Sequence, residues 1–420
     1  MPNVRWIPIV ALAGVALIAG CNESLDTGAA CPVLCPNQNV VVRDTVLDAI
    51  VMDTTVAGFP LRGAEQSLYL ATRGDTVDVR GVIRFDTLLT KFTSSSGIDS
   101  TITAIDSAGI VLVIDRTRST YTAPVRFSFF DVDTTAPDTS LEAIRKVFRA
   151  DRLINEAMLD TSQIKDTTFI PLDNGVVLSK ILSGRRLRVG IQVTSADPVA
   201  LLVGTVNAGT GAVVRFDPQP ADTAVKSISV VPRSMTPTDN LELSGDLTDY
   251  QVVFRSPQVP VAGDLLSVGG LEGRRAFLRF DIPSKIIDSS TVLRATLLAV
   301  QHPVRVIDTS TKFTVQPEFV TAGTEVTDLS RSAYLVAMLS GFDSVQYTPA
   351  DSGLRQLEMV TVLRAWATTG TNTSQRAIVL RATREGQSPI ELQFYSTRAA
   401  PALRPRLRVS YATRTNFGIP

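Results

Sequence analysis

His302 is the one side chain of this chain suited to proton transfer near neutral pH, because it is the only histidine among 420 residues. A Ser-His-Asp or Cys-His catalytic system would therefore depend on it. It follows a predicted strand and precedes Pro303 in a turn, and no serine stands in a Gly-x-Ser-x-Gly sequence. Zinc catalysis needs several His or Cys ligands, which the composition lacks. We therefore predict that the chain is not an enzyme and carries no cofactor.

Carboxylates could still act in pairs, as they do in glycosidases. The aspartates are scattered among Thr and Ser in segments that are typical of turns. Asp131, Asp133 and Asp138 could supply oxygens to calcium, but the Gly and Glu that complete an EF-hand loop are missing. We predict no metal site. Two carboxylates that converge in a deep cleft would indicate a hydrolase or lyase instead.

Thiols are the remaining reactive groups, and the three cysteines stand at positions 21, 31 and 35. Cys31 and Cys35 are separated by Pro-Val-Leu. An oxidising compartment favours a disulfide between them, and a metal-binding pair is the alternative.

The first 21 residues have the build of an export signal. Arg5 and the amino terminus supply positive charge, an apolar run extends from Ile7 to Ile18, and two small residues precede Cys21. A transmembrane helix needs about 20 apolar residues, so a cleaved signal fits better than a span. A plain signal or an uncleaved anchor remains an alternative.

The small residues before Cys21 make this segment resemble a bacterial lipoprotein signal. The resemblance implies that residues 1–20 are removed and that Cys21 carries lipid, including palmitate, as the mature amino end. The partner of Cys21 is then membrane lipid. Asn22 follows the cysteine, where an Asp would retain enterobacterial lipoproteins at the inner membrane. We therefore expect a lipid-anchored protein of the cell envelope, at the outer membrane rather than the inner one.

Composition limits the remaining partners. The chain has 41 basic and 41 acidic residues, so no basic excess is available for a phosphate backbone and nucleic acid is not expected as a partner. A hydrophobic content of 44% suffices for real cores, and the length suggests two or three domains.

Short runs of Val, Ile, Leu, Phe and Thr dominate the chain after Val40, and apolar and polar residues alternate in several of them. Alternation of this kind places one face of a strand inward and the other in water. The clearest runs are residues 109–114, 125–129, 188–193, 227–231 and 406–411. Many such strands at close spacing predict an all-β chain of antiparallel sandwiches. Helical spacing is confined to residues 139–148, with Ser140 as a possible cap, and to residues 328–339.

A seven-residue sequence recurs in the two halves. Residues 80–86 read Arg-Gly-Val-Ile-Arg-Phe-Asp, and residues 275–281 read Arg-Ala-Phe-Leu-Arg-Phe-Asp. We interpret the recurrence as a tandem duplication, with chance recurrence as the alternative. The predicted organisation is a signal peptide at 1–20, a tether at 21–39, a first β-sandwich domain at 40–220 and a second at 221–420, each with a short helix.

The second half resembles the secreted bacterial β-sandwich domain named after its Asp-Asn-Arg-Leu-Arg-Glu signature and grouped with a carbohydrate-binding-module family. The resemblance rests on residues 277–282, 293–297 and 394–396, and on the closing strand Arg-Pro-Arg-Leu-Arg-Val-Ser-Tyr at 404–411. It covers roughly residues 226–413, and the signature hexapeptide itself is absent. It implies jelly-roll-like sandwiches and a non-catalytic glycan-binding role.

The candidate ligand contacts are few, because aromatic residues make up 6% of the chain. Trp366 is the one tryptophan outside the signal. Sugars stack on exposed aromatic rings, so Trp366 and Tyr395 are candidates, and Arg279 is a third. We predict a binding role toward a polysaccharide or another envelope protein. The alternative is a structural or assembly protein of the envelope with no small ligand.

Overall fold

A computed structural model of the chain describes residues 41–134, 140–219, 222, 225–235, 247–257, 261–305, 312–320, 336–337, 344–368 and 376–414. The predicted signal and tether, with Cys21, Cys31 and Cys35, lie outside these residues, so lipidation and the disulfide stay predictions. Among the described residues, no helix has the length and apolar character needed to cross a bilayer.

Strands form most of the described chain before residue 256. They are β1 (Val42–Leu47), β2 (Ile50–Val56), β3 (Ser67–Arg73), β4 (Val77–Phe85), β5 (Lys91–Thr93), β6 (Asp99–Thr101), β7 (Ala104–Val113), β8 (Val125–Asp131), β9 (Leu153–Leu159), β10 (Thr167–Pro171), β11 (Leu187–Ser195), β12 (Val199–Gly204), β13 (Val213–Gln219), β14 (Ile228–Val230) and β15 (Asp249–Arg255).

The described residues after 256 continue the pattern. Their strands are β16 (Leu265–Gly269), β17 (Arg275–Phe280), β18 (Ser290–His302), β19 (Phe313–Val320), β20 (Val336–Ala337), β21 (Val345–Tyr347), β22 (Gly353–Glu358), β23 (Ala377–Ala382), β24 (Glu391–Tyr395) and β25 (Arg406–Thr413). Short helices interrupt both stretches, namely α1 (Leu141–Arg145), α2 (Asn174–Leu182), α3 (Ser284–Ile287) and α4 (Val360–Thr368), with a 3-10 turn at Ala150–Arg152.

Two sheets form the first sandwich. One has the order β12-β3-β4-β11-β8-β9, with β15 also paired to β4, and the other has the order β10-β7-β13-β14. Inward side chains of both sheets, such as Phe85 and Phe127 from one and Ile110 and Phe216 from the other, form a single core. Each of these four side chains is fully buried.

The second sandwich is built in the same way. One sheet has the order β1-β25-β18-β24-β16, with β22 paired to β18, and the other has the order β2-β17-β23-β19-β20, with β21 paired to β19. Leu297 and Val409 of the first sheet face Leu278 and Ile378 of the second across the core. The strand pairs of the described sheets are antiparallel, so the predicted all-β sandwich class is confirmed.

Strand pairing crosses the predicted division between residues 220 and 221 in both directions. The N-terminal strands β1 and β2 pair with β25 and β17 of the second sandwich. Strand β15 pairs with β4 of the first sandwich. Along the chain, the first sandwich is thus inserted into the second sandwich, between strands β2 and β16. An alternating pattern specifies which face of a strand is buried but not which strand becomes its neighbour, so this exchange could not be read from the sequence.

The helix predicted at residues 139–148 forms α1 within that segment. Ser140 is its N-cap, and its hydroxyl accepts a hydrogen bond from the Ala143 backbone N–H at 3.5 Å. Most of the helix predicted at 328–339 lies outside the described residues, and its described part, Val336–Ala337, is strand β20. There the prediction of a helix is wrong, because pairing with β19 imposes an extended backbone.

The two copies of the recurring seven-residue sequence both form strands, β4 and β17, but their final aspartates differ. Asp86 forms a bidentate ion pair with Arg188, at 2.7 and 2.8 Å, and both side chains are almost fully buried. Asp281, the equivalent residue, is exposed. The duplication itself stays a prediction.

Candidate functional site

Trp366 lies inside the second sandwich, where it is only 6% exposed. Its ring packs against Phe280 and Phe319, with ring centroids 5.6 and 5.9 Å apart. The helical spacing of α4 turns this side chain toward the core. The structure therefore corrects the prediction that Trp366 is a ligand contact, because its ring offers no open face to a sugar.

The other two predicted contacts lie on different sheets. Tyr395 is half-buried on β24 and contacts the ring of His302 edge-on, at a centroid distance of 5.5 Å. Arg279 is half-buried on β17 in the opposite sheet. The core separates these sheets, so the structure does not bring Trp366, Arg279 and Tyr395 together into one site. His302 is the last residue of β18, as its predicted strand-end position requires.

The aspartates considered for calcium have protein cations as partners. Lys180 Nζ lies 2.9 Å from Asp131 and 3.5 Å from Asp133, and Arg186 Nε lies 2.6 Å from Asp133. Asp138 lies outside the described residues. Among the residues that the structure describes, no group of three or more His, Cys, Asp and Glu side chains could hold a metal ion.

A cleft of substantial volume lies between the two sandwiches, and we call it the junction cleft. Its volume is about 770 Å³. Five segments line it, namely the linker between β2 and β3, the turn between β3 and β4, helix α1, strand β15 with the residue after it, and the turn between β16 and β17. The lining residues are 57–62, Glu65, Asp75, Leu141, Arg145, Gln251, 253–256, Leu271 and Glu272. These segments come together because β15 crosses to the first sandwich while β2 remains in the second.

Backbone hydrogen bonds hold the linker wall of the junction cleft against the β16–β17 turn. Gly58 N–H donates to the Glu272 carbonyl at 2.8 Å, and Phe59 N–H donates to the Gly273 carbonyl at 3.1 Å. Gly273 has a φ of +58°, and a Cβ atom there would lie 1.4 Å from the Phe59 carbonyl oxygen. Only glycine permits this approach, so the wall is a fixed part of the fold.

A buried ion pair lies behind the same wall. Arg275 donates two hydrogen bonds to the Glu385 carboxylate, at 2.6 and 2.7 Å, and the guanidinium lies 3.7 Å from the centroid of the Phe59 ring. A bidentate pair stacked on an aromatic ring has one well-defined geometry. Phe59 is therefore held rigidly beside the cleft.

Gln251 connects the two sandwiches at the cleft. Its Oε1 accepts a hydrogen bond from Tyr69 N–H of β3 at 3.1 Å, and its Nε2 donates to the Gly386 carbonyl of the second sandwich at 2.9 Å. Arg118 of the first sandwich also donates to Gln387 at 3.5 Å. These contacts hold the first and second sandwiches in a fixed relative position beside the cleft.

Glu65 places a buried carboxyl group at the cleft, with only 3% of the residue exposed. It accepts backbone hydrogen bonds from Gly63 at 2.6 Å and from Gln251 at 3.3 Å. Burial raises the pKa of this carboxyl to about 8, and the nearby Asp249 adds to the effect. Burial also raises the pKa of Asp249 to about 6, although its carboxylate accepts a hydrogen bond from Val206 N–H at 2.7 Å. Desolvation disfavours the charged form of both groups.

The rim of the cleft is charged and aromatic. Arg255 pairs with Asp75 at 3.0 Å in an exposed position, and Glu272 pairs with Arg274 at 2.9 Å. The Phe254 ring carries the Arg80 guanidinium 3.9 Å from its centroid. Such a rim offers hydrogen-bond donors, acceptors and apolar surface to one ligand. Glu65, Asp75 and Glu272, the acidic residues of the lining, all have hydrogen-bond or ion-pair partners.

The cleft has no signature in the sequence. Its lining comes from five segments of the chain, and no motif marks any of them. The one usable signal was the cluster of Gly58, Pro60 and Gly63, which is typical of a turn or loop and gives no indication of a site.

Comparison with known proteins gives little further identification. No family model matches the chain, and no curated protein matches it. Several solved structures resemble it weakly. The infectious bursal disease virus Gt strain structure is 12% identical over 91% of this chain and 78% of the other, with a TM-score of 0.15. The N-terminal CBM22 tandem domain of a Paenibacillus barcinonensis protein is 10% identical over 88% and 98%, with a TM-score of 0.15. The Macrobrachium rosenbergii nodavirus structure is 9% identical over 93% and 97%, with a TM-score of 0.13. Scores this low carry no argument about fold or ligand, so the resemblance of the second half to a carbohydrate-binding-module group stays a prediction.

Proposed function

We propose that the chain is a lipid-anchored protein of the bacterial cell envelope that binds a glycan in the junction cleft without transforming it. The observation that carries the binding role is the cleft itself, a concave site of about 770 Å³ walled by rigid segments of both sandwiches. Ligand sites are typically concave, largely preformed and placed between domains. The signal-like segment that ends in Cys21 supports the anchor and the outer-membrane location.

The lining suits a sugar because a sugar presents hydroxyl groups on its edges and an apolar face. Arg145, Arg255 and Gln251 supply donors, the carboxylates of Asp75 and Glu272 supply acceptors, and Phe254 supplies an aromatic ring. The Arg80 guanidinium lies on this ring, so Phe254 contributes apolar surface beside these polar groups. The cleft therefore provides a place for glycan binding that the predicted contacts Trp366, Arg279 and Tyr395 do not form together.

The partners of the acidic lining residues support a non-catalytic role. A glycosidase needs one carboxylic acid that protonates the leaving group and a second carboxylate that faces the sugar. Both oxygens of Glu65 accept backbone hydrogen bonds, and Glu272 and Asp75 are ion-paired. Glu65 is thus engaged in the wall of the cleft, whereas Asp75 and Glu272 lie at its rim with arginine partners.

A glycan array probed with the exported chain, residues 22–420, tests the proposal. We expect binding that Arg255→Ala weakens at least about fivefold, as for loss of a charged hydrogen bond. Arg255 is an exposed rim residue, so its removal should leave the fold intact. The matched control is Arg126→Ala, which breaks an exposed ion pair with Glu156 away from the cleft.

Each other result contradicts part of the proposal. Absence of binding to every glycan would favour the structural or assembly role in the envelope. Equal binding by Arg255→Ala and the parent would indicate that the glycan binds outside the cleft. Cleavage of a bound glycan would overturn the non-catalytic role.

A further inference from the structure

Strand β25 presents a row of arginines on the outer face of the second sandwich. Arg406 and Arg408 stand at alternate positions of the strand, and both are exposed. The neighbouring Leu407 and Val409 are fully buried in the core. Side chains alternate between the two faces of a strand, so the two arginines share the outward face.

The neighbouring strands extend this row into a patch. Arg294 of β18 is exposed and lies opposite Ser410, which lies opposite Asp44 of β1. Asp44 pairs with Arg408, whereas Arg406 has no carboxylate partner among the residues that the structure describes.

Acidic side chains on this face are fewer than the arginines. Glu358 of β22 lies on it, and its carboxylate caps the start of α4 by accepting hydrogen bonds from the Met359 and Val360 backbone. Arg294, Arg406 and Arg408 therefore stand against two carboxylates, and this part of an otherwise neutral chain carries a small positive charge.

Large aliphatic side chains are exposed on the same face. Val42 and Val46 of β1 are 55% and 48% exposed, and Leu354 of β22 is 56% exposed. Val46 lies directly opposite Arg408 in the sheet register. We call Arg294, Arg406, Arg408, Val42 and Val46 the arginine face. Exposed aliphatic side chains between arginines suit contact with a surface in which anionic groups cover an apolar layer.

The predicted tether, residues 21–39, leads into strand β1 at this face. Strand β1 is the edge strand of its sheet and the first strand of the described chain. Twenty residues separate Cys21 from Val42, and a chain of that length reaches at most about 70 Å. A lipid on Cys21 would keep the arginine face within this distance of the bilayer.

We propose that the arginine face docks on the membrane that holds the anchor, with its guanidinium groups on the phosphates of anionic lipid headgroups. The inference rests on the proposed lipid anchor. One acyl chain binds a membrane weakly, and a basic surface beside it strengthens the attachment. Arginine suits this role because its planar group matches phosphate oxygens. The second sandwich then lies next to the bilayer.

Vesicle sedimentation with the exported chain, residues 22–420, tests the docking alone, because this chain carries no lipid and retains every described residue. We expect it to bind vesicles of phosphatidylcholine with about one third phosphatidylglycerol more tightly than pure phosphatidylcholine vesicles. Each arginine near an anionic surface contributes about fivefold, so Arg294→Ala with Arg406→Ala should weaken binding about 25-fold.

The matched control is Arg185→Ala with Arg215→Ala, which removes two exposed arginines from the first sandwich. Docking by the arginine face predicts binding close to that of the parent for this control. An equal loss in the control, equal binding to both vesicle types, or no binding by the parent would overturn the inference. Competition by inorganic phosphate beyond that of sodium chloride at equal ionic strength would also overturn it, since it would indicate a discrete phosphate site. Glycan binding by the same variants reports on the junction cleft separately.

Discussion

The buried carboxyl of Glu65 should make the stability of this protein depend on pH near neutrality. Its pKa is about 8 in the folded chain against an ordinary value of 4.5. Between these two values the folded chain keeps a proton that the unfolded chain has released. The free energy of unfolding therefore falls as pH rises, and the contribution of Glu65 is complete below about pH 4.5 and lost through pH 8.

The size of the effect follows from the two pKa values. One pKa unit corresponds to about 1.4 kcal/mol, so Glu65 should remove about 1 kcal/mol of stability between pH 6.5 and 7.5. Asp249, with a pKa raised to about 6, loses most of its contribution at lower pH. Between pH 6.5 and 7.5, Asp249 adds only about 0.1 kcal/mol to the decline in the free energy of unfolding.

Urea unfolding of the parent and of Glu65→Gln at a series of pH values measures this dependence. We expect the variant to lose the decline of about 1 kcal/mol between pH 6.5 and 7.5. Glu272→Gln is the matched control, because it changes a half-exposed carboxyl on the opposite wall of the cleft. Its pH dependence should equal that of the parent.

A flat or rising stability of the parent over this interval, or the same decline in Glu65→Gln, would refute the reasoning. Either result would mean that the backbone N–H groups of Gly63 and Gln251 stabilise the ionised carboxylate enough to offset its burial. Hydrogen bonds to a carboxylate lower its pKa. The experiment therefore decides which of the two opposing effects is larger at this position.

Two further predictions concern residues singled out from the sequence. Metabolic labelling with palmitate should mark the full chain and fail to mark Cys21→Ala, whereas Cys31→Ala should keep the label; label retained in Cys21→Ala would contradict the lipid anchor. Trp366→Ala should lower the free energy of unfolding by about 3–5 kcal/mol, because it empties a site between Phe280 and Phe319 in the core. An unfolding free energy within about 1 kcal/mol of the parent would contradict this packing role.

Local sequence determined most of the secondary structure. The apolar run at 109–114 overlaps β7, and the alternating runs at 125–129, 188–193 and 406–411 lie within β8, β11 and β25. Ser140 caps the helix that its spacing predicted. These features depend on residues close together in the chain, because backbone alternation and capping act over a few positions.

Tertiary structure decided which strands are neighbours and where the candidate site lies. The transfer of β1 and β2 to the second sandwich, and of β15 to the first, brings Glu65, Gln251 and Glu272 to one cleft. The same folding buries Trp366. An alternating strand can pair with many partners, and only packing of the whole chain selects one. The sequence alone thus determined an all-β chain with a signal-like start, whereas long-range pairing decided the cleft and the arginine face.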